Sequence, residues 1–328
     1  MKTERRLPHG RLYSAPLIML LAIGLAGCEA PLDLSLVERE IAKPIHRFDQ
    51  LKAAAVNHRR IVVVGDYGTV LSTTDQGESW QRTRLPTRAS LVAVASCDDG
   101  SFVAIDTVRN AWVSDSEGAN WQQRPLGTEE SPMAVACDPR GRFWVTASFS
   151  TLISSDDRGV SWQEQSQQED MQFTHIQWFD AEQAVVAGEF GSLYFTADGG
   201  ESWQRGNDIP KEFYPMAAHF NSPQEGWVAG LSGTILHTAD GGETWDRQPA
   251  ESKAPIYSLI ADGDQLYATG DSGTLLHLLD GEWRALPDIP RMFSYLITAV
   301  PVAGERLLVT GGRGNLSPVV IADSGEKP

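Results

Sequence analysis

One eight-residue motif recurs along this sequence at a nearly constant interval. The string TADGGETW ends at Trp245, and closely similar strings end at Trp203, Trp162 and Trp80. Altered or shortened copies end at Trp121 and Trp283. The six tryptophans are separated by 41, 41, 41, 42 and 38 residues. A period of about 40 predicts a chain built from repeated copies of one supersecondary unit.

Each repeat has the pattern of four short β-strands. In the fifth repeat, residues 217–220, 226–229 and 234–238 are strand-like runs separated by turns, and a fourth strand begins at Trp245. Alternating apolar positions and glycine-rich turns are typical of antiparallel strands. Four strands in a unit of this length form one blade of a β-propeller. The sequence therefore predicts an all-β fold, a seven-bladed β-propeller of four-stranded blades over residues 34–328.

The last repeat is incomplete. Its motif begins at residues 322–325, and no fourth strand follows. An open blade would leave an unpaired sheet edge. We therefore predict that an N-terminal strand at residues 34–41 closes the ring as the outer strand of blade seven.

The first 27 residues have the pattern of an export signal. Basic residues precede an apolar stretch at residues 15–25 that is too short to span a bilayer as a mature helix. Leu25-Ala26-Gly27-Cys28 resembles a bacterial lipobox, in which the cysteine is acylated after cleavage. We expect residues 1–27 to be removed, Cys28 to be lipidated and residues 28–33 to form a tether; an ordinary signal peptide is the alternative. Glu29 favours the outer over the inner membrane, on the periplasmic side.

Charge and cysteine content limit the possible partners. The formal net charge is −16, and removing the basic leader makes the remainder more acidic. Phosphate backbones require a basic face, so we expect no nucleic-acid partner. Cys97 and Cys137 lie in matching contexts 40 residues apart. An oxidising periplasm permits a disulfide between them, but two separate thiols at equivalent positions of neighbouring repeats would give the same pattern.

The fullest repeat, from Gly230 to Trp245, reads GLSGTILHTADGGETW. Its motif resembles the Asp-box, or bacterial neuraminidase repeat. With the preceding glycine pair it is similar to the photosystem II stability and assembly factor family. This resemblance extends over residues 34–328. It implies a non-enzymatic propeller that binds a membrane-protein or envelope client, as the family is thought to do through an arginine-rich face. Residues 106–109 and 147–150 depart from the pattern because they replace the glycine turn.

The repeated box is interpreted as structural. Its aspartate can accept hydrogen bonds from its own turn, its glycine can adopt a left-handed backbone, and its tryptophan can fill the space between blades. A calcium site needs several oxygen ligands, whereas each box has one reliable carboxylate. We therefore expect no metal and no cofactor. The structural residues of the four complete boxes are Asp75, Trp80, Asp157, Trp162, Asp198, Trp203, Asp240 and Trp245.

The opposite face of the propeller is where the repeats differ from one another. Exposed aromatic and arginine residues on the loops of a rigid frame are typical of protein-binding sites. Arginines concentrate in residues 59–160, whereas acidic residues dominate residues 161–290. We predict a client-binding site formed by the variable turns and inter-blade loops, at Asp66, Tyr67, Arg82, Arg84, Arg88, Arg109, Glu189, Phe190, Phe213, Tyr214, Asp271, Phe293, Tyr295 and Arg313.

Two other functions would use the same face. Its aromatic rings could stack on sugars in a glycan-binding module. A sialidase-like glycosidase would need paired carboxylates, for which Asp66, Glu189 and Asp271 are the candidates. The sialidase Arg-Ile-Pro motif is absent before the first box, and no other catalytic constellation accompanies the repeats. We therefore favour a monomeric, non-enzymatic scaffold held at the membrane by its lipid.

Overall fold

The computed structural model describes residues 33–210, 213–287, 289 and 291–321. The chain divides into two compact units, residues 1–43 and residues 44–328. Within the first unit, the described residues form one short helix, α1 (Ser35–Ile41), which buries none of its side chains. The predicted signal segment and Cys28 lie outside the described residues. No helix in the described part of the chain is long and apolar enough to cross a bilayer.

The second unit is a ring of seven antiparallel sheets in sequence order. The first three blades each have four strands. Their bounds are β1 (Leu51–Val56), β2 (Ile61–Gly65), β3 (Thr69–Thr73) and β4 (Gln81–Arg84); β5 (Leu91–Ser96), β6 (Phe102–Asp106), β7 (Asn110–Val113) and β8 (Gln122–Pro125); and β9 (Pro132–Cys137), β10 (Phe143–Ala147), β11 (Thr151–Ser155) and β12 (Gln163–Ser166).

Blades four to six repeat this plan, and blade seven has three strands in the described part of the chain. The bounds are β13 (Phe173–Trp178), β14 (Ala184–Gly188), β15 (Leu193–Thr196) and β16 (Gln204–Arg205); β17 (Ala217–Phe220), β18 (Gly226–Ala229), β19 (Ile235–Thr238) and β20 (Asp246–Arg247); β21 (Ile256–Asp262), β22 (Gln265–Gly270), β23 (Leu275–Leu279) and β24 (Glu282–Ala285); and β25 (Leu296–Val302), β26 (Arg306–Gly311) and β27 (Leu316–Val320). The predicted all-β, seven-bladed propeller is confirmed.

The core lies between neighbouring blades. Every residue of β2, β6 and β10 is buried, because both faces of each sheet are covered. Trp112 and Phe102 of blade two pack with Val62 of blade one in one such layer. Each large apolar side chain removed from water contributes roughly 1.5–3 kcal/mol. Continuous apolar runs in these strands therefore hold the blades face to face.

The prediction that residues 34–41 close the ring as a strand is wrong. The segment is helical because its leucine, glutamate and arginine residues are good helix formers, and none of its side chains is buried as those of a blade strand would be. Blades seven and one instead close the ring by packing and hydrogen bonding. The Tyr295 hydroxyl donates to Gln50 Oε1 at 2.8 Å. Further apolar side chains of both blades share one core cluster, including Leu51, Val63, Val300 and Leu308.

A disulfide joins blades two and three. Cys97 follows β5 and Cys137 ends β9, and their Cα atoms lie 5.2 Å apart. The repeat places these equivalent positions side by side at the inner edge of adjacent blades. The sequence left open whether these cysteines form a disulfide or remain separate thiols, and the structure contains the disulfide.

Candidate functional site

The propeller has two faces with different chemistry. We call the side with the strand-three-to-four turns the box face. The side with the strand-two-to-three turns and the loops between blades is the loop face. The turns between strands one and two also lie on the box face, since successive antiparallel turns alternate between the two ends of a sheet.

The box aspartates tie their own turns together. Asp75 Oδ1 accepts hydrogen bonds from the Ser79 amide at 2.9 Å and from the Thr73 hydroxyl at 2.6 Å, and Oδ2 accepts one from the Ser79 hydroxyl at 2.5 Å. These bonds, chiefly those from the Ser79 and Thr73 hydroxyls, lower the pKa of Asp75 to about 2. The same arrangement recurs at the other complete boxes, Asp157, Asp198 and Asp240.

The box tryptophans pack between blades. Trp203 is buried against Trp144 of the preceding blade, with ring centroids 6.0 Å apart. The remaining predicted tryptophans are partly buried in the inter-blade clusters, at Trp80, Trp162 and Trp245. Within the described ranges, no three His, Cys, Asp or Glu side chains gather where they could hold a metal ion. The aspartate of each complete box is engaged by its own turn, so these four turns repeat one structural unit.

The loop-face turns share an unusual backbone. In five blades a short 3₁₀ turn places its middle residue at φ between 56° and 60°. These residues are Tyr67, Phe190, Ser232, Ser272 and Arg313. The left-handed region is unfavourable for a side chain with a Cβ atom, and bulky residues there are rare. A phenylalanine or tyrosine in this position therefore costs stability that a glycine would not.

Blades two and three build the turn differently, as their departing sequences require. The buried Asp106 carboxylate accepts bonds from the Val108 amide at 2.9 Å, the Asn110 amide at 3.0 Å and Trp112 Nε1 at 2.9 Å. This network closes the blade-two turn without a glycine pair. In blade three, Phe149 takes the left-handed conformation at φ 51°.

Four apolar side chains project from equivalent turns of four consecutive blades. Tyr67 is 63% exposed, Val108 57%, Phe149 54% and Phe190 55%. We call these four residues the apolar crescent. Sequence reasoning selected Tyr67 and Phe190 but missed Val108 and Phe149. The missed signal was spacing, because positions 67, 108, 149 and 190 are each 41 residues apart.

Arginines flank the start of the crescent on blade one. Arg84 and Arg88 line an open depression of about 660 Å³ together with Tyr67 and Pro86. Neither guanidinium forms an ion pair with a carboxylate of the described chain. A planar guanidinium beside an aromatic ring can bind carboxylates in two-pronged geometry, so this depression suits an acidic group next to an apolar one.

Arg82 does not share that depression. Its guanidinium donates to Asp49 Oδ2 and Oδ1 at 2.8 and 2.9 Å, and also to the Pro44 carbonyl at 3.0 Å. Only 16% of the Arg82 side chain and 4% of the Asp49 side chain are exposed. Arg82 thus joins the segment before β1 to blade one, and its charge is already neutralised.

A second depression lies between blades six and seven. It measures about 490 Å³ and includes Arg291 and Phe293. The Arg291 guanidinium carbon lies 5.2 Å from the Phe293 ring centroid, in cation–π geometry. Phe293 is 76% exposed, whereas Tyr295 is half-buried by its bond to Gln50. Of these two predicted site residues, Phe293 is therefore exposed, whereas Tyr295 has a structural role.

The two predicted aromatic residues in the loop between blades four and five also differ in exposure. Phe213 is half-buried, packing beneath Gly230, where a Cβ atom would come within 3.0 Å of its ring. Tyr214 is exposed, and burial followed by the charge of Glu189 raises its pKa. Of the remaining predicted arginines, Arg109 lies 3.8 Å from the exposed Glu129 carboxylate.

The three candidate carboxylates each have a partner close by. Lys52 Nζ lies 3.9 Å from Asp66 Oδ1, and Asp271 Oδ2 accepts a hydrogen bond from the Ser272 hydroxyl at 2.9 Å. Glu189 Oε2 accepts the Gln172 amide at 2.8 Å. They belong to blades one, six and four, and no hydrogen bond of the described chain joins any two of them. Each of the three is instead engaged by a neighbour within its own blade.

The fold and the loop face together identify the class of protein. The protein is a seven-bladed β-propeller whose variable features lie on one face. The chain belongs to the photosynthesis system II assembly factor YCF48 family, whose model matches residues 48–219 and 207–300. No curated protein matches the sequence.

Solved structures show the same fold. A structure described as YCF48 bound to D1 peptide is 17% identical, with a TM-score of 0.69 over 85% of this chain and 93% of that one. YCF48 from Cyanidioschyzon merolae is 16% identical, with a TM-score of 0.68 over 83% and 96%. An inactive virginiamycin B lyase from Staphylococcus aureus is 11% identical, with a TM-score of 0.70 over 83% and 95%.

Proposed function

We propose that this protein is a non-enzymatic, monomeric scaffold or assembly factor that binds a protein client through its loop face. The observation that carries the proposal is the apolar crescent. Its four side chains are more than half exposed on consecutive blades. Aromatic residues held on a rigid surface are the commonest anchors of protein interfaces.

The turns that carry the crescent do not require its exposed rings. Tyr67, Phe149 and Phe190 occupy left-handed backbone conformations, each of which costs of order 1–3 kcal/mol. Blades five and six adopt the same turn with Ser232 and Ser272. Serine is therefore sufficient for the turn, and the exposed rings need another reason to be present. Contact with a client supplies that reason.

The relatives indicate the kind of client. YCF48 is described in complex with a D1 peptide. By analogy, we propose that this chain binds a peptide segment of a membrane or envelope protein, with Arg84 and Arg88 receiving its carboxylates. Whether the client belongs to a photosystem is not part of the proposal.

The placement of the carboxylates supports a non-enzymatic role. A glycosidase would need two of them facing one substrate, whereas each of the three is engaged by a neighbour within its own blade. A tyrosine–glutamate pair of the sialidase kind exists where the Tyr194 hydroxyl donates to Glu169 Oε1 at 2.6 Å. Tyr194 is only 3% exposed, and burial followed by this bond raises its pKa to about 12. A buried phenol that holds its proton so firmly is a poor nucleophile.

Membrane attachment belongs to the same proposal. We expect Cys28 to carry the lipid on the periplasmic side of a bacterial membrane, the outer membrane in preference to the inner. The disulfide between Cys97 and Cys137 supports export, because such bonds persist in oxidising compartments. Cys28→Ala should release the protein into the soluble fraction, and continued membrane association after a high-salt wash would contradict the anchor.

Affinity purification from solubilised membranes tests the client proposal. The tagged full-length protein should recover a stoichiometric membrane protein, and a Phe149→Ser/Phe190→Ser variant should lose it. Loss of one aromatic anchor worth about 2 kcal/mol weakens binding roughly 30-fold. Val160→Ser is the matched control, because Val160 is 71% exposed but lies on the box face. Equal recovery by the crescent and control variants would place the client elsewhere, and retention only on glycan resins would favour a sugar-binding module.

A further inference from the structure

The turn between strands one and two lacks a carboxylate in blade one. In each of the other six blades this turn contains a carboxylate, at Asp98, Asp138, Asp180, Glu225, Asp264 and Glu305. In blade one the turn between β1 and β2 is Asn57-His58-Arg59-Arg60 and contains none. Three basic residues thus occupy the box face of a protein with a net charge of −16.

The basic turn is held in a fixed conformation. Asn57 Oδ1 accepts the amides of Arg59 at 2.9 Å and Arg60 at 2.8 Å. The Asn57 side-chain amide donates to the Gly100 carbonyl at 2.7 Å, which fastens the turn to blade two. The backbone that carries both guanidinium groups is therefore ordered before any ligand arrives, which lowers the entropy cost of binding.

Arg60 is half-buried without a compensating carboxylate. Its stem packs against Gly118, where a Cβ atom would come within 2.9 Å of Arg60 Cδ. Its guanidinium donates to the Ser72 hydroxyl at 3.2 Å, and no ion pair of the described chain includes it. The arginine that stands at the equivalent position of blade three is paired, since Arg142 Nε lies 2.7 Å from Asp138 Oδ2. A partly desolvated charge without a counterion favours binding of an anion.

Two adjoining cavities open at this turn. One of about 470 Å³ is lined by Arg59, Arg60, Thr73 and Thr74, and its wall is completed by blade seven. The other, of about 310 Å³, shares Arg59 with the first. Two guanidinium groups and the Thr74 side chain therefore surround one space, and the Thr73 hydroxyl beside them is held by Asp75.

Three carboxylates line the smaller cavity, at Asp98, Asp99 and Glu117. Asp99, on the rim of the smaller cavity, accepts a bond from the Ser101 hydroxyl at 2.6 Å and forms an ion pair with Arg158. Glu117 is the carboxylate that lines both cavities, and its charge opposes an anion there. Removing the charge of Glu117 should therefore strengthen anion binding.

We propose that Arg59 and Arg60 form a binding site for a phosphate-type oxyanion on the box face, separate from the client site. Guanidinium groups bind phosphate oxygens through paired, charge-assisted hydrogen bonds, and hydroxyls complete such sites. The phosphate can belong to a small soluble molecule or to a lipid headgroup, and the chemistry at the site is the same.

Calorimetric titration of the purified full-length protein with inorganic phosphate tests the site. Arg60→Gln and Arg59→Gln should each weaken binding about tenfold or more, as expected for a lost charge-assisted hydrogen bond. Arg140→Gln is the matched control, because Arg140 occupies the equivalent turn of blade three and lies 3.9 Å from Glu182. Glu117→Gln should tighten binding. Thermal unfolding identifies any variant that has lost its fold, and Arg59→Gln remains informative if Arg60→Gln has.

Flotation with phosphatidylglycerol vesicles distinguishes the source of the phosphate. Using Cys28→Ala protein removes the lipid anchor, and vesicle binding that depends on Arg59 and Arg60 would identify a headgroup. Binding of inorganic phosphate without vesicle binding would identify a soluble ligand. The proposal is overturned if the wild-type protein binds neither probe, or if Arg140→Gln weakens binding as much as Arg59→Gln.

Discussion

Breaking the disulfide between Cys97 and Cys137 should destabilise the propeller by an amount that depends on the length of the loop that the bond closes. The two cysteines are separated by 40 residues. Cross-linking a loop of this length removes about 13 cal/mol/K of entropy from the unfolded chain, or about 4 kcal/mol at 25 °C. For a ring of this size, that loss lowers the melting temperature by about 7 °C.

The fold should survive reduction, which makes the loss measurable. Blades two and three also share an apolar layer in which Val103 and Ile105 pack with Phe143. The bond therefore adds to an interface that is already closed. Its removal should shift the unfolding transition without changing the folded spectrum.

Urea unfolding followed by tryptophan fluorescence provides the assay. The oxidised protein is compared with the reduced protein and with Cys97→Ala/Cys137→Ala, and thiol titration verifies each state. Reductant should have no effect on the double alanine variant. If oxidised and fully reduced protein unfold at the same urea concentration, the argument from unfolded-chain entropy is refuted for this loop.

Three other perturbations have defined outcomes. Trp283→Ala removes a fully buried ring whose Nε1 donates to Gln248 at 2.8 Å, and should cost ~3–5 kcal/mol in urea unfolding; a loss below about 1 kcal/mol would contradict its core role. Arg82→Ala leaves Asp49 buried without its ion-pair partner and should cost ~3–5 kcal/mol, with the deficit shrinking in Asp49→Asn/Arg82→Ala. Hydrogen bonds from Ser161 lower the pKa of Asp157 to about 2, so its contribution to stability is complete above about pH 4 and is lost as the pH falls towards 2. Asp157→Asn should therefore unfold at a lower temperature than wild type at pH 7, and that difference should vanish near pH 2.

The repeat was sufficient to predict most of the fold. A residue needed once per blade, such as Trp203 or Trp245, reports a local packing requirement, so its spacing counts the blades. The structure of residues 34–41 could not be predicted from the repeat. Residues 34–41 bury none of their side chains, so no apolar face marks their secondary structure, and the helix follows from the local preference of residues such as Glu38, Arg39 and Glu40.

Only two of the four residues of the apolar crescent could be predicted from the sequence. Tyr67 and Phe190 stand next to glycine turns and were selected, whereas Val108 and Phe149 lie in turns closed by other means. Counting the period to these positions would have found them. The role of Arg82 depended on Asp49, a partner 33 residues away, and no local pattern shows that pairing.

The shared backbone of the loop-face turns has a consequence for how such a protein diversifies. Tyr67, Phe190, Ser232, Ser272 and Arg313 occupy one conformation with five different surroundings and four different side chains. Each position can therefore be exchanged without redesigning the blade beneath it. As a result, the residues that the loop face offers to a partner can change one blade at a time, while the strands beneath the turns stay the same.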